Sequence, residues 1–198
     1  RGGTAIRQRD NTFSEIVGLH QGTGWMYMAA DVTAAYADDA DISMVQREVV
    51  YLAPNTVVIY DRVASTGNTT QTWGLVSPIQ PQVSGATATF AGDHTMKVTR
   101  LAPSAASASV YDFKADSDYK NGWRLDATMA GGDQRYLHVL SIDGAATQTT
   151  AIGDTGVTMQ LADGRNVTIE FSRNTPGASM TIDGTTTALT ATVDTLPE

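Results

Sequence analysis

Apolar residues fall in short runs along nearly the whole chain, and Gly, Pro, Asn and Asp punctuate them. The densest stretch is Ile42 to Val63, ISMVQREVVYLAPNTVVIYDRV. Val49-Val50-Tyr51-Leu52 and Val57-Val58-Ile59-Tyr60 form two runs rich in β-branched and aromatic residues, which suit a pleated, packed surface. Ala53-Pro54-Asn55-Thr56 between them predicts a chain reversal. Side chains alternate along a strand, so runs that are apolar at every position predict a hairpin covered on both faces. Asp61-Arg62 ends the second run and predicts an ion pair at the strand end.

Elsewhere the pattern predicts strands at Ser14–Leu19, Trp25–Ala30, Thr72–Val76, Thr87–Phe90, Met96–Leu101, Trp123–Met129 and Arg135–Ile142. Three Asp-Gly pairs, at Asp143, Asp163 and Asp183, mark hairpins in the last third, because type I′ turns need positive φ at both central positions. Ala29 to Asp41 has the residues of a weak helix but reads as loop between strands, and Lys114 to Gly122 reads as an exposed loop. The prediction is an all-β, two-sheet antiparallel β-sandwich at residues 13–198, one domain, with an extended N-terminal arm at 1–12.

Composition narrows the function classes. The chain has 198 residues, thirteen basic and twenty-one acidic, for a net charge of −8. An acidic surface disfavours nucleic acid. No apolar run reaches membrane-spanning length, so no membrane partner is expected. Absence of cysteine removes disulfides and thiolate metal sites. Three scattered histidines offer no zinc spacing, and Asp38, Asp39 and Asp41 lack the ligand spacing of a calcium loop, so no metal or cofactor is expected. Starting at Arg1, the chain predicts a removed leader or a longer parent.

REVVYLAPNTVVIYDRV resembles the β-sandwich domain of heparinase II/III-like polysaccharide lyases. The likeness continues through Ala30-Asp31, Ala34-Ala35-Tyr36, Trp73-Gly74-Leu75, Arg100-Leu101-Ala102-Pro103, Trp123-Arg124-Leu125 and Tyr136-Leu137-His138-Val139-Leu140. The resemblance implies a sandwich that follows an upstream α/α-toroid, with uronic-acid polysaccharide cleaved by β-elimination in the cleft between them. It further implies a secreted or periplasmic bacterial protein. Some family members bind a metal in the sandwich, but Trp73-Gly74-Leu75-Val76-Ser77 has no histidine for it.

Since the toroid is not in this sequence, the chain alone is expected to be inactive as a lyase. His20, which closes the run EIVGL before a Gly-rich turn, is the candidate catalytic residue. Arg7, Arg9, Trp25 and Tyr36 are the candidate substrate-binding residues: Arg7, Arg9 and Tyr36 as helpers of His20, and Trp25 as a ring able to stack on sugar, although core packing is the better reading of the tryptophans. His138 reads as a packed strand residue, and His94 is assigned no role. Two alternatives remain: a freestanding carbohydrate-binding or accessory module, and an extracellular structural protein that self-associates by strand addition. Far-UV circular dichroism should show a β spectrum with under about a tenth helix, against the usual third; a helix-dominated spectrum would contradict the reading.

Overall fold

The computed structural model describes residues 4–115 and 121–194. Part of the Lys114–Gly122 loop therefore lies outside the described residues, as do the first three residues of the N-terminal arm. The chain opens with β1 (Glu15–Gly22), β2 (Trp25–Asp31), β3 (Ile42–Leu52) and β4 (Thr56–Ser65). Next come β5 (Thr70–Ser77), β6 (Gln82–Ser84), β7 (Thr87–Ala91), β8 (Thr95–Ala102) and β9 (Ser107–Asp112). β10 (Trp123–Ala130) and β11 (Asp133–Ile142) follow. The chain closes with β12 (Ala146–Ile152), β13 (Gly156–Leu161), β14 (Asn166–Phe171), β15 (Ala178–Ile182) and β16 (Thr185–Leu189). Helix among the described residues is confined to two 3-10 turns, Thr33–Tyr36 and Phe113–Ala115.

The expected antiparallel sandwich is present, with one further layer. A central eight-stranded sheet runs β1-β2-β3-β4-β11-β8-β7-β6. A five-stranded meander, β12 to β16 in chain order, packs on one face, and a three-stranded sheet, β5-β10-β9, packs on the other. β3 and β4 lie inside the central sheet, each paired on both sides. Val50, Leu52, Val58 and Tyr60 are all fully buried and pack against Val157, Ile169 and Phe171 of the meander. Val57, Ile59 and Val63 alternate with them and face Trp73 and Leu125 of the small sheet. Apolar character at every position of this hairpin thus encodes cover on both faces.

Alternation also governs the charges. Adjacent strand residues point to opposite faces, so Asp61 and Arg62 cannot pair with each other. Each instead pairs across the hairpin. Asp61 receives both Nε (2.6 Å) and Nη2 (2.9 Å) of Arg47, directly opposite it on the small-sheet side. Arg62 pairs with Glu48 on the meander side, and both are completely buried. The sequence Arg47-Glu48 against Asp61-Arg62 therefore specifies two ion pairs, one per face.

The Glu48–Arg62 pair holds the meander. Tyr27 donates its hydroxyl to Glu48, and the Gly177 amide donates to the same carboxylate at 2.8 Å. Nε and Nη2 of Arg62 donate to the Ser172 carbonyl. Nε of the nearly buried Arg135 donates to the Arg173 carbonyl at 2.8 Å. The β14–β15 loop is thus fastened to central-sheet side chains at three backbone positions. Burial pushes the Glu48 carboxyl above its ordinary range, opposed by Arg62 and by the two hydrogen bonds.

Turn chemistry follows the sequence at two of the three Asp-Gly sites. Asp143-Gly144 (φ 53° and 76°) and Asp183-Gly184 (φ 47° and 82°) have both residues left-handed. At Asp163-Gly164 only the glycine is, with φ 94°. There the Asp163 carboxylate folds back onto the Arg165 amide and side chain. At the outer edge of β1, the Leu19 amide donates to the Thr192 carbonyl (2.8 Å), and the Asp194 amide to the Leu19 carbonyl (2.9 Å).

Two truncations measure this core by urea unfolding. Val58→Ala should cost about 2–4 kcal/mol through lost burial plus cavity formation. Glu48→Ala should cost about 3–5 kcal/mol, since it leaves Arg62 buried and unpaired. Parent-like midpoints would show that the hairpin is not central.

Candidate functional site

Residues 4–9 lie across the end of the sheet where β2 leaves it, and there they meet the Thr33–Tyr36 turn. The Arg9 amide donates to the Ala35 carbonyl at 2.8 Å, which fixes the segment against the turn. Between them is a cleft of about 390 Å³, lined by Arg7, Arg9, Tyr36, Asp38 and Asp39 among others. That volume lies in the range of small-molecule sites.

Charge inside the cleft is unevenly committed. Arg9 pairs with Asp38 at 3.1 Å, and both are well exposed. The Asp39 carboxylate accepts from the Asp41 amide (2.9 Å), and Asp41 accepts from the Thr66 hydroxyl (2.8 Å). Asp38, Asp39 and Asp41 are therefore all engaged, with Arg9, the Asp41 amide and Thr66 respectively. Arg7 has no ion-pair or hydrogen-bond partner among the described residues. An unpaired guanidinium lining a cleft can receive a carboxylate or sulfate in fork geometry. Among the described residues, no group of three or more His, Asp or Glu could hold a metal.

Three of the five sequence candidates, Arg7, Arg9 and Tyr36, thus share one cleft. His20 and Trp25 do not join them. Trp25 begins β2 and Tyr36 follows its end, so about 20 Å of strand separates the two regions. Trp25 is half-buried, packs against the main core and lies over Gly22, where an added Cβ would meet its ring at 2.4 Å. His20 is near the same end, stacked over Tyr27 with ring centroids 5.8 Å apart. Its Nδ1 lies 2.8 Å from Asp194 Oδ2, and its Nε2 lies 2.9 Å from the Thr190 carbonyl. Both nitrogens are occupied in fastening residues 190–194 to β1.

A second polar locus was legible only in part. His138 is buried as a packed strand residue, stacked on Trp73 with centroids 3.7 Å apart. Neither ring nitrogen has a protein hydrogen-bond partner. Its neighbours Trp73 and Arg100 come from β5 and β8, so no local motif announces the arrangement. His94, by contrast, is exposed and pairs with Asp143 at 2.6 Å.

No protein-family model and no curated protein sequence matches the chain. Solved structures do. Heparan sulfate lyase HepC from Pedobacter heparinus superposes with a TM-score of 0.51 at 10% identity, over 89% of this chain and 27% of that one. The BT4657 gene product, titled heparinase III, superposes with a TM-score of 0.57 at 12% identity, over 91% of this chain and 28% of that one. A form of it with methylated lysines gives 0.58. The chain has the heparinase-type β-sandwich fold. It spans a little over a quarter of the length of these lyases, and at such identity the fold is what is shared. The heparinase-type sandwich here presents its arginine cleft at one end and the His20 cluster at the other.

The state of His138 is testable through pH. An imidazole in the unfolded chain titrates near 6.5. Burial, reinforced by the positive Arg100 and Arg47, pushes His138 down to about 3. Between those values the unfolded chain binds the extra proton, so stability falls as pH drops from about 6.5 toward 3. Between pH 7 and pH 4 the parent should lose about 3 kcal/mol more than His138→Phe in urea unfolding. Equal losses would show that His138 titrates normally.

Proposed function

We propose that the chain is the sandwich portion of a heparinase-like polysaccharide lyase, forming one wall of a cleft for uronic-acid polysaccharide, and does not cleave substrate by itself. Carrying this reading is the fold match, which takes in nine-tenths of this chain but little over a quarter of HepC and of the BT4657 product. The Arg7–Arg9–Tyr36 cleft fits the role. β-Elimination beside a carboxylate needs a base for the α-proton and a group that neutralises the developing negative charge. Arg7 offers the cation, and Arg9 offers a second one shared with Asp38. With a net charge of −8, the chain would draw polyanions only through such a local site.

In this reading the base and the opposite wall come from an upstream α/α-toroid. His20 and Trp25 lie at the other end of β2 from this cleft, and both His20 nitrogens are engaged by residues 190–194, so neither has a part in it. The protein would work outside the bacterial cytoplasm, in the periplasm or secreted, where polysaccharide is encountered. Among the described residues no helix is long and apolar enough to cross a membrane.

The test follows the ultraviolet absorbance of unsaturated products over heparin, hyaluronan and alginate. The 198-residue chain alone should give no turnover, and adding the toroid portion of its parent should restore it. In that complex Arg7→Ala should lower the rate roughly 10- to 100-fold, the loss of one or two charge-assisted hydrogen bonds. Sustained turnover by the chain alone, abolished by His20→Ala, would overturn the proposal. Binding without cleavage in any combination would make the chain an accessory carbohydrate-binding module instead.

A further inference from the structure

Between the small sheet and the β6–β7–β8 side of the central sheet lies a cavity of about 20 Å³. Its walls are mostly small residues, Gly85, Ala86, Ala88 and Ala127, and its polar lining includes Arg100 and His138. One water needs about 10–15 Å³ measured in this way, so the space suits one molecule and little else.

Polar atoms of two lining residues, Arg100 and His138, lack protein partners. His138 is 1% exposed, and both of its ring nitrogens are unpaired. Nε of Arg100 is also buried and unpaired. Arg100 and His138 sit opposite each other on neighbouring strands. Buried polar groups are rarely left unsatisfied, because desolvation without a hydrogen bond costs free energy. The unpaired Arg100 Nε and an unpaired imidazole nitrogen, on facing residues that both line a space of one molecule, make a built site.

We propose that this cavity is a binding site for a single resident water that bridges Arg100 and His138. The water accepts from Arg100 Nε–H and donates to the unprotonated nitrogen of the imidazole. The charge around the site narrows the ligand to this class. A metal cation would face the Arg100 guanidinium, and no carboxylate completes a ligand set there. The Asp126 carboxylate is held by Arg124 through two bonds of 2.6 and 2.9 Å. An anion would satisfy the donors but leave the bare imidazole nitrogen facing like charge. Water alone both accepts and donates.

A high-resolution crystal structure of the chain tests this, with one crystal soaked in bromide. The expected result is a single peak at about 2.6–3.2 Å from Arg100 Nε and from a His138 nitrogen, with no anomalous signal after the soak. An empty cavity overturns the proposal. A bromide signal overturns it in favour of an anion site, and an intrinsic metal signal in favour of a cation. In solution, cross-relaxation from solvent to the Ala88 and Ala127 methyl groups should be present in the parent. It should be lost in Arg100→Met, a half-exposed position whose replacement preserves chain length without Nε. Retention of that signal in Arg100→Met would equally overturn the bridge.

Discussion

Everything in this molecule leans on a fully buried ion pair, Glu48 with Arg62. Removing two charges from water is unfavourable, and attraction offsets that only when the remaining hydrogen-bonding capacity is also met. Here Tyr27, the Gly177 amide and the Ser172 carbonyl meet part of it, while Arg62 Nη1 has no hydrogen-bond partner. These partners lie 110 or more residues along the chain from Arg62 or Glu48, apart from Tyr27. The pair's bonds to Ser172 and Gly177 form only when the meander docks in one position. An apolar contact of the same area would tolerate sliding, whereas three fixed backbone bonds do not.

How much of this could be read from the sequence follows from what is local. The β3–β4 hairpin was legible because its two-faced apolar pattern is written in consecutive residues. The Asp143-Gly144 and Asp183-Gly184 turns were legible for the same reason. The small sheet was not, since it assembles β5 and β10 from segments about fifty residues apart, with β9 added at the edge. An alternating pattern states that a face is buried but not by what. Asp61 and Arg62 are neighbours in sequence but face opposite ways on the strand; their partners, Arg47 and Glu48, sit on the adjoining strand of the same hairpin.

The candidate site divides in the same manner. Arg7, Arg9 and Tyr36 were chosen for chemical type, and the Arg9–Ala35 backbone contact is what gathers them. His20 was chosen for its place before a Gly-rich turn, yet its neighbours Thr190 and Asp194 come from the far end of the described chain. No pattern near His20 signals that contact. His138 was placed correctly as a packed residue, while its unpaired nitrogens depend on a strand register that sequence alone does not give.

The segment at 190–194 lies along β1, whose outer side would otherwise be an unpaired row of amides and carbonyls on the largest sheet. Such edges recruit strands from other molecules, and proteins suppress this by covering them. Leu19 satisfies its own amide and carbonyl with Thr192 and Asp194, and His20 clamps the cover with its side chain. At the other end of the sheet β6 is only three residues long, too short a template to matter. At Leu19, in the middle of β1, the edge is therefore closed to an incoming strand. The imidazole of His20 is thus spent on holding the chain's own residues 190–194 against the strand where another copy's strand would otherwise add.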